Sequence, residues 1–292
     1  MSNYVCEGSE RNMTAKTALA QARIGIFDSG VGGLTVLREL YRQLPTESIL
    51  YFGDTARLPY GTRSQAEIIQ FVREIMVWMM AKQVKMVIMA CNTSSALALE
   101  AVQAEFPIPI LGLIYPGARA ALQQGKRIGV IATPATAASN AYRQAVMEID
   151  HAAQVWQVGC PDFVPLIEQN RIHQDITRQV AANYLAPLID KQIDTLVYGC
   201  THYPHLEPVL RTLLPDTVSL VDPARHVVAA ASQELDALGL KNTRLPLPTE
   251  FYVSGDREQF ANLSVQWLGC RPVVDTIRLA AVPSHPQVLE AS

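Results

Sequence analysis

The fold class read from the sequence is α/β: two similar parallel-sheet domains related by a pseudo-twofold axis, with the functional site between them. Three observations predict it. Apolar runs of strand length alternate with segments of helical periodicity from Arg23 onward, the pattern of parallel sheets joined by crossover helices. The run Arg127-Ile128-Gly129-Val130-Ile131-Ala132-Thr133-Pro134 echoes Arg23-Ile24-Gly25-Ile26-Phe27-Asp28-Ser29-Gly30, with Ile24 and Ile128 standing 104 positions apart. Finally, Ala90-Cys91-Asn92-Thr93-Ser94-Ser95 and Gly199-Cys200-Thr201-His202-Tyr203-Pro204 repeat one motif, a buried strand delivering a small residue and a cysteine, with the two cysteines 109 positions apart. Two echoes at nearly one offset indicate an internal duplication.

The elements follow in order. Arg23 to Phe27 is a short strand ending in Asp28-Ser29-Gly30-Val31-Gly32-Gly33, after which Leu34, Leu37, Leu40, Tyr41 and Leu44 recur at helical spacing until Pro45 stops them. A second strand, Ile49 to Phe52, runs into Gly53-Asp54 and a loop, Arg57-Leu58-Pro59-Tyr60-Gly61, whose Pro and Gly set a turn. Ser64 and Glu67 fit a capping box, opening a helix whose apolar face carries Ile68, Ile69, Val72, Ile75, Met76, Met79 and Met80 as core packing. The Met86 strand, the Cys91 turn and a helix to about Glu105 follow, and Phe106 to Ile110 is extended. The pattern then restarts at Arg127, and Phe251-Tyr252-Val253 with a closing stretch returns to complete the first half. The domains expected are 23–117 plus 227–292, and 118–226, after a flexible tail at 1–22 in which Met13 is an alternative start.

At 292 residues and 49% hydrophobic, the chain is long enough for about two domains with full cores. Net charge is −3 and the cations are scattered, which argues against a nucleic-acid surface and for a small-molecule partner. No 18-residue apolar span and no signal-peptide core are present, so a cytoplasmic protein without a membrane segment is expected. Five cysteines in such a chain read as reduced thiols, with Cys6, Cys160 and Cys270 lacking the strand-then-polar context of Cys91 and Cys200.

The chemistry expected of the two cysteine turns is proton transfer at carbon. In open α/β sheets, ligands collect beyond the carboxyl ends of strands, where Asp28, Ser29, Cys91, Asn92, Thr93, Thr133, Cys200, Thr201 and His202 all fall. Cys91 and Cys200 each sit where a helical pattern begins, and a helix start favours the thiolate over the thiol, whose ordinary pKa is ~8.5. Removing a proton alpha to a carboxylate and returning one from the opposite side needs two groups facing each other across the substrate. One thiolate and one thiol meet that need, with His202 beside Cys200 and Asp28 beside Cys91 setting their protonation. The hydroxyls, the Asn92 amide and backbone N–H groups make an anion-receptive lining suited to a small acid with two carboxylates.

Other readings weigh less. Gly30-Val31-Gly32-Gly33 lacks a third glycine, since position 35 is Thr35, and Asp28 would repel a pyrophosphate. A metal site on Cys91, Cys200 and His202 lacks the usual ligand hook, so no metal is expected. Asp28 as a helix cap and His202 as an ordinary turn histidine are the bland alternatives.

On Asp28 to Gly33, Pro59-Tyr60-Gly61, Ala90-Cys91-Asn92-Thr93 and Gly199 to Pro204, in that order, the sequence resembles the bacterial glutamate racemases over roughly Ile24 to His226. The resemblance implies cofactor-independent interconversion of L- and D-glutamate, supplying D-glutamate to peptidoglycan. It implies that Cys91 takes the proton from the D-enantiomer assisted by Asp28, and Cys200 from the L-enantiomer assisted by His202. Glu168 falls where that family has a glutamate working with the histidine; residue type alone makes it a solvated helix charge. Substrate contacts carry over to Asp28, Ser29, Tyr60, Gly61, Asn92, Thr93, Thr133, Thr201 and His202. Tyr198 and Thr136-Ala137 depart from the family pattern, and some long-tailed relatives need a cell-wall precursor as activator. A racemase for another acid such as aspartate and a non-catalytic dicarboxylate binder remain open at this point. The sequence admits a homodimer without fixing the oligomeric state.

Overall fold

The structure, a computed structural model, describes residues 17–282. Its strands form two sheets in which every neighbouring pair is parallel. The first holds β1 (Ile24–Asp28), β2 (Ile49–Gly53), β3 (Met86–Met89), β4 (Ile110–Gly112), β9 (Glu250–Val253) and β10 (Val274–Thr276), in the order β10-β9-β2-β1-β3-β4. The second holds β5 (Arg127–Ala132), β6 (Gln154–Gly159), β7 (Thr195–Gly199) and β8 (Ser219–Val221), in the order β6-β5-β7-β8. The first half's β2-β1-β3-β4 is therefore repeated as β6-β5-β7-β8. The register repeats too: Ile24 pairs with Met86 as Ile128 pairs with Thr195. That repetition is the duplication legible in the two sequence echoes, and it puts Cys91 and Cys200 at equivalent strand ends.

The strands β1, β2, β3 and β7 are buried along their whole length, as expected when helices cover both faces of a parallel sheet and the sequence reads as an unbroken apolar run. Helix α1 (Leu34–Gln43) buries Leu34, Val36, Leu37 and Leu40 and ends just before Pro45, which cannot continue the ladder. Helix α2 (Gln65–Ala81) opens with the predicted capping box, both reciprocal bonds of Ser64 and Glu67 being formed. Helix α3 (Asn92–Glu105) follows Cys91 directly, and α4 (Ile114–Leu122) leads into β5. The segment after β5 is split into α5 (Pro134–Ser139) and α6 (Ala141–Ile149) by Asn140, whose φ of 57° is left-handed and ends the first helix. Helices α7 (Phe163–Glu168), α8 (Asp175–Ile189) and α9 (Glu207–Arg211) flank the second sheet. Helix α10 (Pro223–Leu238), capped by Asp222, carries the chain back, and α11 (Arg257–Leu268) lies between β9 and β10.

One apolar cluster joins the halves. It runs from Ile24, Leu34 and Tyr51 of the first half through Phe260 and Trp267 of α11 to Tyr198, Tyr203 and Leu206 of the second. Tyr198 is absorbed into this core, 1% exposed. At the opposite end of β3 a buried ion pair ties three distant segments. Lys85 Nζ lies 2.5 Å from Glu47 Oε2 and donates to the carbonyls of Ala20 and Leu240, while Glu47 Oε1 accepts from the Asn242 N–H. Residues 17–21 are accordingly helical where a loose tail was expected; Cys6 and Met13 lie outside the described residues.

Candidate active site

The first half brings Asp28 at the end of β1 and Cys91 at the end of β3. Asp28 is 1% exposed, and its Oδ2 accepts from the Gly30 N–H at 2.9 Å, so it organises the glycine turn and caps no helix. The glycines of that turn serve close approach, Gly32 to the second half and Gly33 within the first. A Cβ on Gly32 would lie 2.4 Å from His202 Nδ1, and one on Gly33 2.6 Å from Asp28 Cβ. Thr35 Oγ1 donates to the Thr201 carbonyl across the same boundary. Burial holds the Asp28 carboxyl above its ordinary value, outweighing His202 and the backbone N–H groups that pull it down.

Cys91 stands at the N-cap of α3 as expected, with Sγ 3.9 Å from Ser29 Oγ. The expected lowering of its pKa does not follow. Burial, then the charge of Asp28, push the thiol up to about 12, because desolvating an anion beside a carboxylate costs more than the helix terminus returns. Cys91 is therefore a thiol at neutral pH.

The second half brings Cys200 and His202. Here no regular helix begins at the cysteine: a turn leads into a 3-10 segment, Tyr203–Leu206, and only then into the short α9. Pro204 and Pro208 each fall in the first turn of their own short segment, where a proline is tolerated, whereas Pro208 in the interior of one continuous helix from Cys200 would break its ladder. The Tyr203 hydroxyl pins it by donating to the Cys160 carbonyl at 3.0 Å. His202 Nδ1 lies 3.7 Å from Cys200 Sγ, and His202 Nε2 lies 3.0 Å from Glu168 Oε1 at the end of α7. Burial opposes a charge on this imidazole, but the bonds to Cys200 and Glu168 prevail and raise its pKa to about 10. His202 is therefore an imidazolium at neutral pH.

The register that relates the halves shows where they diverge. Cys91 corresponds to Cys200, but Thr93 stands where the second half has His202, and Ala132 where the first half has Asp28. Each thiol thus has one acid–base neighbour, of a different kind on each side.

Every residue singled out above lines one cavity of about 500 Å³: Asp28, Ser29, Tyr60, Gly61, Cys91, Asn92, Thr93, Thr133, Glu168, Cys200, Thr201 and His202. That is an ordinary size for a small-molecule pocket. Thr93, Thr133 and Thr136 close a triangle of hydroxyls across the halves, at 2.9, 3.2 and 2.9 Å. Gly61 packs on Thr133, where a Cβ would come within 3.0 Å, and the Tyr60 hydroxyl is turned away to hydrogen-bond Asp54. Asn92 is 2% exposed, and its Nδ2 is buried with no partner. Cys160, which lacks the strand-then-polar context of Cys91 and Cys200, also lines the cavity, as do Gln259 and Leu263 of α11, which no local motif marks. Among the described residues no group of three or more His, Cys, Asp or Glu side chains is arranged to hold a metal ion.

Comparison with known proteins places this architecture. The sequence model of Asp/Glu/Hydantoin racemase matches residues 24–231. A glutamate racemase of Gloeothece citriformis is 73% identical over 256 residues, covering 88% of this chain and 92% of that protein. One of Nostoc sp. is 67% identical over 263 residues, 90% of each. Among solved structures, glutamate racemase of Bacillus anthracis superposes with a TM-score of 0.86 at 38% identity, covering 89% of this chain and 98% of that one. Glutamate racemase of Francisella tularensis in complex with D-glutamate superposes at 0.84 and 35% identity, covering 90% and 98%. The chain belongs to the Asp/Glu/hydantoin racemase family and groups within it with the glutamate racemases.

Proposed function

We propose that the chain interconverts L- and D-glutamate by a two-thiol, cofactor-independent mechanism. The observation that carries the reading is that Cys91 and Cys200 occupy equivalent strand ends in duplicated halves and line one cavity, each beside a different acid–base group. From L-glutamate, the Cys200 sulfur, as a thiolate held by the His202 imidazolium, takes the α-proton. The electron pair left on carbon is delocalised into the α-carboxylate, and the Cys91 thiol returns a proton from the opposite face. The products are D-glutamate, a Cys200 thiol and a Cys91 thiolate, and proton exchange through His202 and Asp28 resets the pair. In reverse, Asp28 accepts the Cys91 proton and His202 gives one to Cys200, so that the Cys91 thiolate takes the α-proton of D-glutamate and the Cys200 thiol returns one from the opposite face.

Glu168 keeps His202 charged and oriented. Asn92, Thr93, Thr133, Ser29 and Thr201 offer donors for the two carboxylates, and Tyr60 and Gly61 close the cavity over them. Burial strengthens these interactions and keeps water from the carbanion. The D-glutamate made would supply peptidoglycan synthesis in the cytoplasm. The named relatives and the D-glutamate complex of the Francisella protein support glutamate as substrate. Circular dichroism of the purified protein with each enantiomer alone, no cofactor added, tests the reading. Both signals should decay to zero; a stable signal with glutamate alongside decay with aspartate would reassign the substrate, and stability with both would end the racemase reading.

A further inference from the structure

Asn92 meets the cavity with only half of its amide accounted for. Its Oδ1 accepts from the Tyr142 hydroxyl at 2.7 Å, while its Nδ2 is buried without a partner. Tyr142 is fully buried on α6 of the second half, whereas Asn92 opens α3 of the first, so the bond crosses between the halves. Local structure delivers the tyrosine there. Left-handed Asn140 ends α5 and restarts the helix two residues before Tyr142, and Gly117 of α4 leaves room for the ring, a Cβ at that position coming within 3.2 Å of Tyr142 Cε1. Burial, and then the charges of Asp222 and Cys200, hold the phenol well above its ordinary pKa, so the hydroxyl keeps its proton and needs an acceptor. An amide offers one acceptor and two donors. Committing the acceptor to Tyr142 leaves the NH2 group as the free polar end.

We propose that Tyr142 is a positioning residue for the reaction: it fixes the Asn92 amide so that Nδ2, not Oδ1, is presented to a carboxylate of the substrate. An Asn92 amide released from this bond can turn over and set its oxygen against the substrate's anion. The inference rests on the functional reading above, since it is the bound carboxylate that gives the orientation its consequence. Asn92 acts on a carboxylate and on neither face of the α-carbon, so the loss falls equally on both enantiomers.

The test is a double-mutant cycle of Tyr142→Phe and Asn92→Ala, read by calorimetric binding of D-glutamate and by kcat and KM for each enantiomer. Phenylalanine keeps the ring in its space, and unchanged far-ultraviolet dichroism confirms the fold. In the wild-type background Tyr142→Phe should raise Kd and KM roughly tenfold, the scale of one buried hydrogen bond. In the Asn92→Ala background it should change them less than about twofold, because the two residues act through one bond. An equal loss in both backgrounds would make Tyr142 merely structural, and no loss in the first would remove it from the site; either overturns the inference. Wild-type protein that neither binds nor turns over glutamate would overturn the functional reading and this inference together, a result distinct from both.

Discussion

Replacing Glu168 by Gln isolates the charge that sustains the His202 imidazolium. Glutamine keeps an oxygen near His202 Nε2, where Glu168 Oε1 stands at 3.0 Å, but removes the negative charge. A carboxylate at hydrogen-bond range raises a histidine pKa by ~1–3 units, so the value of about 10 in the intact site should fall when that charge is removed. His202 works as a cation, so activity toward L-glutamate is present below this pKa and lost above it. The alkaline limb of kcat/KM for L-glutamate should therefore move down by roughly one to three pH units in Glu168→Gln. The acid limb should stay, and the limb for D-glutamate should shift less. The same linkage makes His202 a stabilising group below its ordinary 6.5, a contribution lost as pH rises through about 10. The assay is a pH series of initial rates with each enantiomer, accompanied by NMR titration of the His202 ring. An alkaline limb that stays in place, or a wild-type ring titrating near its ordinary value, would refute the assignment of Glu168.

Other substitutions test separate parts of the site. Cys91→Ala and Cys200→Ala should each reduce racemisation of both enantiomers to background, since every turnover in either direction needs both sulfurs; near-normal rates in either variant count against the two-thiol reading. Gly32→Ala introduces a Cβ 2.4 Å from His202 Nδ1, so the ring must move. An ångström-scale displacement at a reacting group costs on the order of 100-fold in kcat, and a loss below threefold would show that His202 needs no such seat. Lys85→Ala strands the buried Glu47 carboxylate and should cost about 3–5 kcal/mol in denaturant unfolding, whereas Lys85→Met with Glu47→Gln should cost less. Neither change is expected to alter kcat, because the pair lies at the far end of β3 from the cavity.

The fold was legible because parallel strands covered on both faces leave continuous apolar runs, and because the duplication repeats at near-constant spacing. The cysteine turns, Asp28 and His202 were legible for the same reason: strand ends collect ligands, and their residue types are reactive. What sequence pattern alone could not supply is long-range contact. Glu168 ends an ordinary helix and becomes distinctive only by meeting His202, so the family resemblance pointed to it where its residue type did not. Gln259 and Leu263 reach the cavity from a helix near the other end of the chain, and Tyr142 reaches Asn92 behind it through a turn set by Asn140. The direction of the Cys91 shift was misread because helix position is local and visible whereas burial beside Asp28 is not. The path after Cys200 was misread although Pro204 and Pro208 were in view, a proline pair being compatible with a helix start as well as with a 3-10 turn.

The origin of the hydrogen on the α-carbon decides between two opposed thiols and any single shared base. L-glutamate and D-glutamate, each supplied alone in deuterium oxide, are to be followed at initial rate by NMR. Two separate thiols predict that the newly formed enantiomer carries deuterium at the α-carbon from the first turnovers while the remaining substrate keeps its proton. Product that retains the substrate's own hydrogen, or substrate that exchanges as fast as product forms, would contradict them.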